Sequence, residues 1–456
     1  MKDIFKTEDK SIRRNFYIDV IATIVVAVTL FALFFINGVS AVNDSHCYET
    51  FRVEVMAEPV YSLFLAFFRL FIHTDDYIKV AVFFQTAFAV FSVPFFVKRI
   101  SDKFNLYPIF RIALYVMLLL FYTMPAVFSR SGVLTFLAIL TEGLSYPLFF
   151  IFWVYIIDTI TDKKTRDWVI AFIISVILLL IRTQLAFAVV LAVLAGIYAF
   201  AAHKDKKALI MEAAAVLAAV IFIKTFQSVF CYTIIHTFDV PPNNISMYGN
   251  IMILAEEKDS ELFDDELTKS VFIARYYDMT DNGWGMVHYK GDSLMDAAMF
   301  YEECYDNIKD HMSMGSYFDD NNITYGIDKY NIQNATAKAI SLKLLPEHLG
   351  QWIYNYVGLC LVGFIRTVAV KPESTLIQIY TALVYLILIG GIIINRKNKS
   401  VVLFGAITVI GVLGQVMETS IAIMCISRYM MYMFPMVYCG IIISISAYIR
   451  GRIKSE

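Results

Sequence analysis

The chain has 456 residues, of which 59% are hydrophobic and only 17% charged, with a formal net charge of −2. A soluble domain is roughly 45–50% apolar; together with a mean hydropathy of +0.64 and long apolar runs split by short charged clusters, this excludes an ordinary soluble globule and marks an integral membrane protein. Net charge by itself says nothing about nucleic acid, but the strongly acidic stretch from Asp239 to Asp328 is the opposite of the basic footprint that phosphate backbones require, which argues against a nucleic-acid partner.

Backbone groups find no hydrogen-bond partners in lipid, so spans must be helices or a closed barrel. The apolar runs here are continuous rather than alternating, and the fold class is therefore expected to be an all-α polytopic membrane protein with about ten transmembrane helices. In chain order the expected spans are 18–38, 76–97, 107–127, 143–160, 168–181, 184–202, 208–225, 375–394, 400–417 and 429–449. The first run, Ile18 to Ile36, is long enough to cross and has no clear small-residue cleavage site after it, so it is expected to be retained. The pair 168–181 and 184–202 breaks near Arg182-Thr183-Gln184 and is short against the roughly 20 residues of a full span.

Lysine and arginine clusters set the expected orientation. They fall at Lys10, Arg13 and Arg14; at Lys98, Arg99 and Lys103; at Lys163, Lys164 and Arg166; at Lys204, Lys206 and Lys207; at Arg396, Lys397 and Lys399; and at Arg450, Arg452 and Lys454. Ten spans bring all six to one side, which is then cytoplasmic together with both termini, in a cell membrane. Two further apolar stretches do not serve as spans. Pro59 to Ile72 is too short, and counting Trp352 to Val370 would reverse the 396–399 cluster. Both are expected as amphipathic helices in the outer interface.

Three units follow: a membrane module over 1–225, an extracytoplasmic domain over 226–374 that includes the interfacial helix 352–370, and a second membrane module over 375–456. The middle unit opens on Pro241-Pro242. Between Asp239 and Asp328 it carries 19 acidic against 5 basic residues, an excess of 14 negative charges, and it is expected to be a small, mainly helical domain. Its sequons at Asn244, Asn322 and Asn334 matter only in a glycosylating compartment, and Asp319-Asp320-Asn321-Asn322 is only loosely like a calcium loop, without the glycine spacing of an EF-hand. The six cysteines show no metal-type spacing; four lie in outer segments, which leaves room for one or two disulfides.

Ionisable residues near membrane depth are functional candidates by default. Here they are Asp44, Glu49, Glu54 and Glu58 in the first outer loop, then Glu142, Arg182, Arg366, Glu418 and Arg428, all near the outer face and none in a mid-membrane relay. A carrier with a midplane site should show broken helices in two related halves, and no such symmetry is present. Asp44 lies just past the first span and ahead of an amphipathic helix, where a carboxylate can take a proton from an acceptor at headgroup level; the plainer alternative is a solvated loop acid. Arg182 and Arg428 match the oxygens of a lipid phosphate in bidentate fashion, against simple snorkelling to headgroups. Glu142 reads first as a helix-start charge and second as an arginine partner. Asp75-Asp76 reads as a helix cap before half a metal site.

The ordered layout resembles the GT-C superfamily of membrane glycosyltransferases. The resemblance is carried by Asp44 in the first outer loop, the segment Pro59 to Ile72, Thr141-Glu142 before a span, Leu180-Ile181-Arg182-Thr183-Gln184-Leu185, Pro346-Glu347-His348-Leu349 leading into an interfacial helix, and Ser427-Arg428-Tyr429 with Pro435. The proline and glutamate around His348 depart from the family's usual His-Pro order, and the acidic insert matches no particular subfamily. The resemblance implies a transferase that uses a polyprenyl-phosphate-linked sugar as donor and a glycan, lipid or protein as acceptor, with inversion. It implies Asp44 as general base, and Arg182, Arg428, Glu49, Glu142, His348 and Tyr429 as substrate-binding residues. A metal is not required in principle, and dependence on a divalent metal stays open. The rival functions are a flippase or other transporter of lipid-linked glycans, an O-antigen-type polymerase or ligase, and a non-enzymatic surface protein. The topology makes one immediate prediction: an epitope tag inserted at Asn398 is protected from impermeant label in intact cells, and labelling there would reverse the last three spans.

Overall fold

The computed structural model describes residues 2–453 except 43, 52–57, 125–132, 203, 241–243, 312–317, 319–320 and 323–326. Glu54, Pro241-Pro242 and most of the loosely calcium-like loop therefore lie outside the described residues.

Helix α1 spans Lys2–Asn37 and ends where Gly38, at φ +67°, donates its N–H to the Phe34 carbonyl, the left-handed stop that glycine adopts without steric cost. The short α2 (Ser45–Glu49) follows Asp44. Helix α3 (Pro59–Arg69) has proline in its first turn; it buries Tyr61, Leu65 and Phe68 and leaves Leu63 and Phe67 exposed. Then come α4 (Asp76–Lys103) and α5 (Pro108–Thr123). The bundle continues with α6 (Glu142–Asp162), α7 (Thr165–Ile181), α8 (Ala186–Ala202) and α9 (Lys206–Ile235). The loop unit contains α10 (Asn244–Met252), α11 (Glu266–Asp281), α12 (Leu294–Asp306), α13 (Ile327–Glu347) and α14 (Leu349–Arg366). Helices α15 (Thr375–Ile394), α16 (Lys399–Ala422), the single turn α17 (Ser427–Met430) and α18 (Phe434–Ile453) complete the chain.

Among the described residues, eight helices are long and apolar enough to cross a membrane. They are α1, α4, α6, α8 taken together with the 3-10 turn that leads into it (Thr183–Ala202, 20 residues), α9, α15, α16 and α18, eight of the ten expected spans. The other two, α5 and α7, are apolar but have 16 and 17 residues, so at 1.5 Å per residue each is about 24–26 Å long, short of a hydrocarbon core of about 30 Å. Burial ranks the helices. In α6, 83% of the apolar window is buried, against 11% in α1 and 6% in α9; α6 is the axis of the bundle, and the other two present most of their apolar surface outward, to lipid.

The basic clusters gather at one end. Arg99 and Lys103 on α4 both bind Asp158 on α6, and Lys103 also binds Asp162. Arg111 on α5 holds Asp19 of α1 at 2.6 and 2.7 Å, which gives a counter-charge to an acid inside the first span that the sequence left unassigned. Arg450 donates to the carbonyls of Phe104 and Asn105, and Lys163 and Lys399 lie 5.9 and 6.0 Å from the Tyr198 ring centre. The turn between α15 and α16 thus shares an end with the α6–α7 turn.

Helix α14 is not among the eight. It starts and ends a few residues earlier than the expected 352–370, and Leu349, Ile353, Val357 and Leu361 form an exposed apolar stripe at four-residue spacing, the pattern of a helix lying on an apolar surface. Its opposite side packs between α12 and α16; Gly358 permits this, since a Cβ there would stand 2.5 Å from the Leu294 carbonyl oxygen. Arg366 closes the joint, with its guanidinium nitrogens 2.5 and 3.2 Å from the Glu302 carboxylate and 2.9 Å from the Cys425 carbonyl. Asn250 on α10 donates to the carbonyls of Ile421 and Ala422 at the end of α16, satisfying groups that a helix end leaves orphaned. The sequon residue Asn334 is buried and hydrogen-bonded to Asn244 and Tyr330, so as folded it is not accessible as a glycan acceptor. No disulfide joins any of the six cysteines among the described residues, so those that the sequence left room for are not formed.

Removing one member of a buried pair strands the other charge. Arg366→Met should therefore destabilise the protein by about 3–5 kcal/mol, read as a lower melting temperature in detergent, and adding Glu302→Leu should recover much of the loss. Equal melting of the single and double variants would show that the pair does not hold this joint.

Candidate functional site

The site forms at the opposite end of the bundle, on the side where α14 packs on α17, where four chain segments meet. The first comes off α1: Ser40 forms an isolated parallel bridge to Ala138, and Ser45 accepts from the Val42 N–H and donates to the Ile139 carbonyl. These bonds seat Asp44 against the 135–140 segment. The second is the start of α6, where Thr141 and Glu142 are buried. The third is the break after α7, where Arg182 is extended (φ −160°, ψ 118°) before a single 3-10 turn, Thr183–Leu185, leads into α8. The fourth is the α16–α18 connection, in which Tyr146 donates to the Arg428 carbonyl at 2.9 Å and Gln415 to the Tyr429 carbonyl at 2.5 Å.

At the centre Arg182 lies 2.5 Å from Glu142, whose side chain is fully buried. The same guanidinium donates to Thr141 Oγ1 at 3.2 Å and to Gln184 Oε1 at 2.5 Å. Arg428 sits beside it, 2.7 Å from Asp44 and 3.6 Å from Glu142, and donates to the Tyr429 hydroxyl at 3.1 Å. The Tyr429 ring lies between the two cations, 4.4 Å from the Arg182 guanidinium carbon and 5.1 Å from that of Arg428, a cation–π arrangement on both sides. Burial opposes the charge on both arginines. Glu142 outweighs it at Arg182, and Tyr429, Glu142 and Asp44 outweigh it at Arg428, so both pKa values are raised above the ordinary arginine value and both groups stay charged.

Of the residues singled out in the sequence, Asp44, Glu142, Arg182, Arg428 and Tyr429 come together here. Two do not. Glu49 lies on α2 near His46 and Asp75, and burial pushes its carboxyl above the usual range. His348 belongs to the loop unit, where its Nε2 is 2.7 Å from Asp259 and both side chains are buried. Glu58 does contribute: its Oε1 accepts from the Thr183 hydroxyl at 2.8 Å, which ties α3 to the Arg182 turn. Glu418 accepts from the Phe187 N–H at 2.8 Å and closes one end of an apolar groove of about 340 Å³ lined by Val190, Leu191, Ile410 and Gly414.

Sequence reasoning passed over Gln184, Ser145 and Tyr432. Tyr432 stands 2.6 Å from Ser145 one helical turn beyond Tyr429, a spacing that could have flagged it. Asp76 pairs with Lys79 at 2.8 Å rather than with Asp75, and among the described residues no group of three or more His, Cys, Asp or Glu side chains is gathered as metal ligands.

Comparison with known proteins finds no match to this chain, whether as a family model, a curated protein or a solved structure.

The two carboxylates should respond differently to neutralisation. Glu142 is fully buried and Asp44 is 34% exposed. Glu142→Gln is expected to cost about 3–5 kcal/mol of stability, as for a broken buried pair, whereas Asp44→Asn should cost about 1 kcal/mol or less. Thermal unfolding of the two purified variants checks this, and a larger loss in Asp44→Asn would invert the assignment.

Proposed function

We propose that this chain is a membrane glycosyltransferase that moves a sugar from a polyprenyl-phosphate carrier to an acceptor hydroxyl at the non-cytoplasmic face. The observation that supports this most is the meeting of Asp44, Arg182 and Arg428, from segments up to 384 residues apart, at the end of the bundle away from the basic clusters. Under the positive-inside rule that end faces out.

In the proposed reaction Asp44 takes the proton of the acceptor hydroxyl. The hydroxyl oxygen then bonds to the anomeric carbon from the side opposite the carrier, the bond from that carbon to the phosphate oxygen breaks, and the configuration inverts. The electron pair leaves with the lipid phosphate. Fixed guanidinium groups stabilise that developing charge because they need no reorganisation when it forms, and arginine cannot give up its proton to the leaving group. The exposed part of the pair, Asp44 and Arg428, is the reacting side; Glu142 and Arg182 beneath it hold the second cation in place. The acidic loop unit, which is joined to the same end of the bundle through Arg366 and Asn250, presents the acceptor.

Asp44→Asn in the native host, with surface expression verified, should remove one defined sugar from a cell-surface glycan measured by mass spectrometry, and the missing sugar identifies the donor. A variant without its base should lose at least about a hundredfold in turnover, the usual contribution of general base catalysis. An unchanged glycan at normal expression would discard Asp44 as the base and bring the transporter function forward.

A further inference from the structure

The two arginines are not equivalent. Arg182 is engaged on its Nε by Gln184 and on one terminal nitrogen by Thr141 and Glu142, and its side chain is 11% exposed. Arg428 is twice as exposed, at 22%. Its bonds to Asp44 and Tyr429 both run from the same terminal nitrogen, while its buried Nε faces Glu142 at 3.6 Å. Its carboxylate partner is also the more exposed of the two acids. A guanidinium offers five N–H donors in a planar fork suited to phosphate, and of the two forks that of Arg428 is the more exposed.

The local charges lead to the same conclusion. Arg182 and Arg428 supply two positive charges and Glu142 and Asp44 two negative ones, so as built the cluster is formally neutral. A phosphate entering a neutral cluster gains little. A phosphate that takes the place of Asp44 meets an excess positive charge, and the displaced carboxylate is left with a free lone pair on the side from which an acceptor approaches.

We infer that Asp44 is an internal stand-in for phosphate on Arg428, and that the phosphate of an entering phosphate ester displaces it, so that binding of the donor, a phosphodiester, itself releases the base. This rests on the transferase reading for the meaning of the released carboxylate, but not for the displacement. The ligand class is a phosphate on a hydrophobic carrier or free phosphate. Acceptor activation then follows donor binding in a fixed order, and the base does not act on water or acceptor in the donor's absence.

The experiment uses the full-length protein in detergent micelles, with farnesyl phosphate, farnesol and inorganic phosphate as probes. In binding titrations Asp44→Asn should bind farnesyl phosphate about fivefold more tightly than the parent, near the upper end of what a partly exposed ion pair is worth, and Arg428→Gln should lose that binding. A tightening seen also with inorganic phosphate assigns recognition to the phosphate alone; one seen only with the farnesyl ester assigns it to the lipid-linked form; both support displacement. On the unmodified protein, labelling of Asp44 by a water-soluble carbodiimide with glycine methyl ester should rise when farnesyl phosphate is added and stay level with farnesol. This second readout decides the matter if Asp44→Asn does not fold. Unchanged or weaker binding by a folded Asp44→Asn, or labelling that stays level or falls with farnesyl phosphate, overturns the proposal. Neither readout depends on sugar transfer, so loss of the displacement leaves the glycan result standing, and an unchanged glycan leaves the displacement standing.

Discussion

The end of the bundle that holds the site is organised by one buried ion pair, Glu142 with Arg182. A carboxylate with no solvent exposure costs several kcal/mol unless it is paired and hydrogen-bonded, and Glu142 stands at the first residue of the most deeply buried helix. Its partner has to come from a neighbouring helix end. That requirement accounts for the break at Arg182: if α7 ran on unbroken into α8, the chain could not reverse there, and the extended residue brings the guanidinium over the start of α6. The positive end of the α6 dipole adds to the same balance. Once Arg182 is fixed, Tyr429 packs on it, Arg428 follows as the next residue in sequence, and Asp44 comes in from the first loop.

The two ends of the bundle use their charges differently. At the basic end Asp158 is met by Arg99 and Lys103, and Asp19 by Arg111, cations from other helices. Those pairs join α1, α4, α5 and α6 and leave nothing for a ligand to do. At the other end Glu142 is fully buried but Asp44 and Arg428 stay partly exposed, and the loop unit is fastened to that end by Arg366 with Glu302 and by Asn250 on the end of α16. Two ion-pair layers therefore lie near each other in that region, one that only joins and one that stays partly open.

Much of the bundle is legible in the sequence because lipid leaves a spanning backbone few choices. A continuous apolar run must be a helix, and a lysine or arginine cluster marks its end, so eight long helices fall where the runs predict. Less was legible where packing decides. The shortness of α5 and α7 does not show in hydropathy, which scores composition and not where a helix is broken. The stripe on α14 becomes meaningful only once Gly358 and Arg366 define its other side. The candidate residues at chain breaks, Asp44, Arg182 and Arg428, stood out because a charge beside an apolar run is conspicuous. Their pairing did not, because nothing local says that Glu142 goes to Arg182 and Asp44 to Arg428. His348 shows the opposite failure: a motif-like setting drew attention to it, but Asp259, 89 residues away, fixes it inside the loop unit.

The neutrality of the cluster is also an answer to a physical problem. Two guanidinium groups at a bilayer surface, partly shielded from water, repel one another and raise the cost of folding unless negative charge is near. A protein that must bind an anion there cannot satisfy both arginines permanently, because a satisfied site has no affinity to offer. One permanent partner and one exchangeable partner resolve the conflict. Glu142, fully buried and held by Thr141 as well, has the geometry of the permanent one. Asp44, 34% exposed at the edge of α2, has the geometry of the exchangeable one. Burial thus decides which acid stays and which leaves, and the residue that leaves is the one placed where an acceptor hydroxyl would need a base.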